Sequence, residues 1–303
     1  MAYTLNATAT TVASEEELFD FIFSRVDTLD PDSIAEAAPV LAAYANDPAL
    51  VARTMARSLR SILDGEPPPF VAPQCYVIAR RKHVMIRANV WSPLKQTGAL
   101  RKNEERAYSY DTAHDHNFHF LTVGYFGSGY RTHIAEIDPA ELTGAIGDSA
   151  RILDSEVTTL PKGKIMLYRA HRDVHRQAPP DELSISLNVL FNNQSQIAKC
   201  QYNFVFEQEL GEERARILSY TSASIHSRLS MLAEMAVLVG GDELTPLFAD
   251  VVDSTVLPPR MRLMCLDGLR EDSDAYRGAL ERLYADDCAM VRDHASKVLQ
   301  SLQ

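Results

Sequence analysis

Four cysteines and a single tryptophan are the scarce residues of this 303-residue chain. Cys75, Cys200, Cys265 and Cys288 are far apart and form no C-x-x-C pair, so neither a disulfide framework nor a zinc-thiolate site is expected. Each reads as a small buried hydrophobe. Positive charge is also short: 41 acidic residues face 30 basic ones, the formal net charge is −11, and only Arg80-Arg81-Lys82 forms a basic cluster. Nucleic acids and anionic membranes are held by a basic footprint, so neither is an expected partner. No apolar run approaches the roughly twenty residues of a membrane span, and the first residues lack the pattern of a signal peptide. These absences lead to the expectation of a cytoplasmic protein. A phosphate-binding glycine loop, a dinucleotide fingerprint and a G-x-S-x-G elbow are missing too; Gly127-Ser128-Gly129 reads as a hairpin turn.

The chain divides by the period of its apolar residues. Ser14-Glu15-Glu16-Glu17 opens a helix in capping-box style, with Leu18, Phe19, Phe21, Ile22 and Val26 on its apolar side. Asp30-Pro31-Asp32 opens a second helix through about Tyr44, and Asp47-Pro48 a third that reaches Leu63. Gly65-Glu66-Pro67-Pro68-Pro69 cannot continue a helix and marks a boundary. From Phe70 to about Glu209 the pattern alternates: Leu183, Ile185, Leu187 and Val189 are apolar on one parity, while Ser184, Ser186 and Asn188 are polar on the other. Short strands in series indicate a sandwich or barrel. After Gly211 the period is helical again. Two segments thirty residues apart match there, Met261-Arg262-x-x-Cys265-x-x-x-Leu269 and Val291-Arg292-x-x-Ala295-x-x-x-Leu299. They resemble helical-pair repeats of HEAT type, with a small helical cap or dimer surface as the alternative. The expected architecture is mainly β with α extensions, in three parts: helices over 1–69, a barrel over 70–209, and a helical, HEAT-like extension over 210–303.

Six of the nine histidines lie between His114 and His175. His114 and His116 flank Asp115 just before an apolar run, and two side chains at i and i+2 of a strand share a face about 7 Å apart at Cα. Two imidazoles so placed can converge on one ion. A third ligand is expected from a strand near the end of the alternating section, where His175 follows the turn Leu160-Pro161-Lys162-Gly163; His171 is the alternative.

Over roughly residues 70–208 this pattern resembles the cupin superfamily, in which one motif supplies H-x-H and a second supplies another His after a P-x-G-like turn. The fold implied is a double-stranded β-helix barrel. Many cupins add a glutamate four or five residues after H-x-H; here those positions hold Phe120 and Leu121, which leaves three histidines. Such a set is similar to that of the cysteine dioxygenase-like thiol dioxygenases, and His114-Asp115-His116 with His119 follows their pattern with one residue fewer. What the resemblance implies is a mononuclear Fe(2+) site held by His114, His116 and His175, with His119 and His171 behind the ligands. It also implies O2 and a small amino-acid-like or thiol substrate, and an arginine on an early strand for the substrate carboxylate, either Arg80 or Arg87. Tyr125, Tyr130 and Tyr168 are available as proton donors, with Tyr125 and Tyr168 the candidate catalytic groups.

The chain departs from that family where it carries Ser-x-His-x-Tyr, because Ser186-Leu187-Asn188-Val189-Leu190 lacks both the His and the Tyr. The cysteine of the family's Cys-Tyr crosslink is absent as well, so oxidation of cysteine itself does not follow. The polar stretch Ser92–Ala113 reads as a lid over a different substrate. Two other readings stay open: a non-oxidative metal cupin (isomerase, lyase or hydrolase), and a ligand-binding or scaffold protein. The C-terminal helices are the expected surface for a homodimer or a protein partner.

Overall fold

A computed structural model of the chain describes residues 2–66, 70–72, 74–193, 200–209, 211–221, 225–255, 257–269 and 273–301. The chain forms two compact units, Met1–Ile137 with Ile152–Asn193, and Asp138–Arg151 with Gln194–Gln303. Neither boundary coincides with a division at 69 and 209. The helices before the prolines share a core with the strands after them, and residues 212–220, expected to be helical, are a strand. Pro67–Pro69 themselves lie outside the described residues.

In the first unit, α1 (Glu15–Arg25) starts at the expected capping box: Glu17 N–H donates to Ser14 Oγ, and Ser14 N–H donates back to the Glu17 carboxylate at 2.7 Å. The helix expected from Asp30 to Tyr44 is two helices, α2 (Pro31–Ala35) and α3 (Ala38–Ala45). Pro39 has no N–H to donate into a continuing helix and is accommodated in the first turn of α3. The third is α4 (Leu50–Leu63).

The strands of this unit are β1 (Tyr3–Leu5), β2 (Phe70–Ala72), β3 (Cys75–Arg81), β4 (Val84–Trp91), β5 (Ala113–His114), β6 (His119–Phe126), β7 (Arg131–Ile137), β9 (Ile165–Tyr168), β10 (Asp173–Gln177) and β11 (Ser184–Phe191). The greater part of β8 (Ser149–Thr159) also belongs to it. One antiparallel sheet has the order β1-β9-β6-β11-β4-β3-β2. In the other, β10 pairs with β5 and β7, and β7 with β8. The polar segment before His114 contains a helix, α5 (Gly98–Ala107), with no buried residue.

Alternation sorts the first sheet into two faces. Val84, Ile86 and Ala88 of β4, Leu121 and Val123 of β6, and Leu187 and Val189 of β11 pack with Leu18, Phe19, Ile22, Ile34 and Leu41 from the helices. The opposite parity carries Met85, Trp91, Phe120, Met166, Tyr168 and Leu190 into a second core with Ile134 of β7, Tyr130 and Leu160. The unit is thus three layers, helices on a sheet on a sheet, with one apolar core in each gap. Two antiparallel sheets with added helices fit the expected architecture, mainly β with α extensions.

Gly127–Gly129 links β6 to β7, but these strands belong to different sheets, so the segment is a corner between sheets and not a hairpin turn. Gly127 and Gly129 both have positive φ. The second unit holds the strand pair β12 (Tyr202–Glu209) and β13 (Glu212–Tyr220), followed by α6 (Ile225–Val239), α7 (Thr245–Asp253), α8 (Pro259–Asp267), α9 (Asp274–Tyr284) and α10 (Ala289–Ser301). The repeated segments begin in α8 and α10, where Cys265, Leu269, Val291 and Ala295 are buried in one core. Arg262, 4% exposed, donates to the Val252 carbonyl and the Asp286 carboxylate, while Arg292 donates to the carbonyls of Asp286 and Asp287.

At Gly129 a Cβ would lie 2.0 Å from the Leu160 carbonyl oxygen, whereas at Gly163, also at positive φ, nothing comes within 4 Å. Gly163→Ala should therefore cost only the left-handed backbone, about 1–2 kcal/mol. Gly129→Ala adds a backbone clash and should cost more than about 3 kcal/mol in chemical denaturation. Equal losses at the two positions would mean that the corner is not as tightly packed as described.

Candidate metal centre

β5 is only two residues long, and its His114 pairs directly across the ladder with His175 of β10. The chain leaves the strand at Asp115 and brings His116 to the same point. Ring centroids are 4.6 Å apart for His114 and His175, 5.1 Å for His114 and His116, and 5.2 Å for His116 and His175. One ring nitrogen from each lies within 4.8 Å of the others, close enough to ligate one ion.

Backbone carbonyls set two of the tautomers. His114 Nδ1 donates to the Thr112 carbonyl at 2.8 Å, and His175 Nδ1 donates to that of Asp173 at 3.0 Å. Each ring is left with a lone pair on Nε2, the form that ligates a metal. Burial lowers the pKa of His114 and takes that of His175 well below the usual histidine range, with the neighbouring imidazole and the Arg87 charge adding to the effect at His175. His114 and His175 are therefore held neutral. An aromatic wall surrounds it: Phe118 stacks on His116 at 4.7 Å, Phe120 meets His116 edge-on at 5.1 Å, and Tyr168 meets His175 edge-on at 4.7 Å.

Polar groups behind the ligands fix the two segments that carry them. Asp115, 1% exposed, faces away from its neighbours and accepts from His171 Nδ1 at 2.7 Å. His171 is held at φ +59°, and its N–H donates to the His116 carbonyl at 2.8 Å. Asp173 accepts from the Arg169 backbone N–H, Nε and Nη2 at 2.7–3.0 Å. His171 thus stands behind the ligands and His175 among them.

His119 is on the opposite parity of β6 from Phe120, and the structure turns it toward the helical layer. Its Nδ1 accepts from Ala170 N–H at 2.9 Å, and it bonds the Leu29 carbonyl. Tyr125 shares that parity, and its hydroxyl donates to the Asp47 carbonyl at 2.8 Å. Tyr125 is therefore corrected from a candidate proton donor to a clasp between sheet and helices. Tyr168 stays at the site with its hydroxyl pKa raised by burial, and so does Tyr130, hydrogen-bonded to Thr122 and in tilted ring contact with Trp91 at 4.0 Å.

Of the two candidate arginines, Arg80 is exposed and contacts Met85 Sδ. Arg87 is on the inner parity of β4, near enough for its charge to disfavour protonation of His114 and His175 and to lower the Tyr130 pKa. Its Nε is buried without a hydrogen-bond partner, and among the described residues no carboxylate pairs with the guanidinium. The structure thus brings Arg87 to the histidines and leaves Arg80 outside. Sequence reasoning missed Asn89, on the same inner face and 7% exposed. The signal was present in β4, where Arg87 and Asn89 interrupt an otherwise apolar parity between Met85 and Trp91.

No family model matches the chain, and no curated protein does. Among solved structures it is similar to a cupin-domain protein from Bordetella pertussis, at 13% identity over 38% of this chain and 88% of that one, with a TM-score of 0.23. It is also similar to a salicylate 1,2-dioxygenase from Pseudaminobacter salicylatoxidans, at 12% identity over 46% and 32%, with a TM-score of 0.26. A structure of DMSP lyases matches at 12% identity over 60% and 74%, with a TM-score of 0.24. Likenesses this remote do not place the chain in a family.

Alanine at His114, His116 or His175 should abolish stoichiometric binding of a divalent metal, measured by elemental analysis. His119→Ala should retain the metal and lower the melting temperature, since it removes the links to Ala170 and Leu29. Metal surviving His116→Ala and lost with His119→Ala would overturn the ligand set. In the metal-free protein, the unfolded chain takes up protons at His114, His119 and His175 near pH 6.5 while the folded chain resists. Stability should be level above about pH 6.5 and decline below it, and His175→Asn should flatten that decline in denaturant melts.

Proposed function

We propose that the chain is a cupin of the three-histidine, cysteine dioxygenase-like branch, a mononuclear Fe(2+) oxygenase that uses O2 on a small amino-acid-like or thiol substrate. The observation that carries this reading is the convergence of three imidazoles, two of them with their tautomers fixed, beside an arginine that has no carboxylate of its own. Three nitrogen ligands leave an open face on a divalent ion. Ferrous iron held there would supply electron transfer to O2 once substrate has bound.

The remaining work falls to side chains of the chain itself. Arg87 seats an anionic substrate group, a charge-assisted contact strengthened by the apolar surroundings. Phe118, Phe120 and Tyr168 exclude water from the histidines. Tyr168 keeps its hydroxyl proton at neutral pH and serves as a donor next to His175. In place of the Ser-x-His-x-Tyr run, Ser186 accepts from Trp91 Nε1 and Asn188 accepts from Thr122, so this strand braces the pocket. α5 is the lid over the substrate in this reading, and the C-terminal helices are HEAT-like and offer a homodimer or partner surface. Among the described residues no helix is long and apolar enough to cross a membrane, in keeping with a cytoplasmic setting.

The test is metal analysis combined with oxygen uptake over a panel of small thiols, amino acids and hydroxy acids. Near-stoichiometric iron with substrate-dependent uptake is expected. Zinc or nickel without uptake would replace the oxygenase with a non-oxidative metal cupin. Protein that stays metal-free after ferrous reconstitution would sink both and leave the ligand-binding reading. Arg87→Met should raise KM for carboxylate substrates about thirty- to a hundredfold, the equivalent of about 2–3 kcal/mol for a lost charged hydrogen bond.

A further inference from the structure

Arg87 and Asn89 are neighbours on the inner parity of β4, about 7 Å apart at Cα, and each carries a buried polar atom with no hydrogen-bond partner: Nε of Arg87 and Oδ1 of Asn89. Leaving such an atom unpaired is costly, and here two fall together with opposite polarity. The adjacent strands do not relieve them. On β11, Asn188 stands opposite Arg87 and Ser186 opposite Asn89. The Asn188 Oδ1 already accepts from Thr122 at 2.6 Å, and the Ser186 Oγ already accepts from Trp91 Nε1 at 3.0 Å. On β3 the opposing residues are Val77 and Cys75, which offer no adequate partner. Ser186 and Asn188 are thus turned to protein partners, and Arg87 and Asn89 are left as a donor beside an acceptor.

We infer that Asn89 reads a hydrogen-bond donor on the carbon next to the substrate's carboxylate, so that the pocket selects α-amino or α-hydroxy acids over acids lacking that group. The inference rests on Arg87 as the anion seat proposed above and adds a specificity residue to it. A carboxylate accepts from the guanidinium while the ammonium or hydroxyl beside it donates to Asn89 Oδ1. One compact group then satisfies both orphans. An unsubstituted acid would fill the anion seat and leave Oδ1 unpaired, which is how a buried polar group rejects an analogue that lacks its partner.

Three probes of one carbon skeleton test this: cysteine, 2-hydroxy-3-mercaptopropionate and 3-mercaptopropionate, titrated calorimetrically without oxygen into ferrous-reconstituted and metal-free protein. The first two should bind at least tenfold more tightly than the third. Asn89→Leu should erase that preference, chiefly by weakening the first two. Asn89→Asp, of nearly the same shape, should move selectivity toward the ammonium over the hydroxyl. Arg87→Met should weaken all three alike. An unchanged preference in both Asn89 variants, with Arg87→Met still weakening every probe, overturns the role of Asn89 and leaves the anion seat standing. If Arg87→Met weakens none of them, or no probe binds at millimolar concentration, the anion seat fails and this inference with it.

Discussion

The pairing of His114 with His175 across β5 and β10 is the constraint on which the remainder depends. A two-residue strand is too short to hold a side chain by ladder bonds alone, and its position is fixed instead by what surrounds it: Thr112 on one side, and Asp115 bound to His171 on the other. The same pairing removes the imidazoles from water. Three basic groups within 4.8 Å of one another tolerate that burial only when neutral. At His114 and His175 neutrality leaves a lone pair on Nε2, which is the electronic condition for taking up a cation. Geometry and charge state are therefore one property here.

The second constraint is parity. In β4, β6 and β11 one set of side chains belongs to the helical layer and the other to the space between the sheets, and chemistry is confined to the second set. His119 and Tyr125 sit close in sequence to the ligands and fall on the wrong face. Arg87, much further away in sequence, falls on the right one. Closeness along the chain was a poor guide and the two-residue period a good one.

Much of the site was legible for that reason. The H-x-H spacing and the turn before His175 mark the ligands without any structure, because each is a local feature. Alternation also marks β11, and capping residues with a helical apolar period mark the helices ahead of the prolines. Other features depend on partners distant in sequence. β13 carries Arg214 and Arg216 on one parity, each tied to acidic residues, so its run of charges resembled an exposed helix until its pairing with β12 was known. The split of α2 from α3 is locally encoded by Pro39, which lies in the interior of the helix expected from Asp30 to Tyr44 and fits only the first turn of a new one. The choice between Arg80 and Arg87 is not settled by parity, because a β-bulge between Val77 and Ala79 brings Arg80 opposite Met85; what separates them is that Arg80 is exposed near the end of β3 while Arg87 lies within β4.

β1 pairs with β9, joining Tyr3, Thr4 and Leu5 to Leu167, Met166 and Ile165. About 160 residues separate the two strands, so a chain made from its amino end produces β1 well before its partner. Until then β1 is a solitary extended segment, and afterwards it covers the outer edge of the strand that ends in Tyr168. The edge of β9 is thus covered by a piece of chain made before it, and the wall beside His175 is completed only when β9 has joined β1.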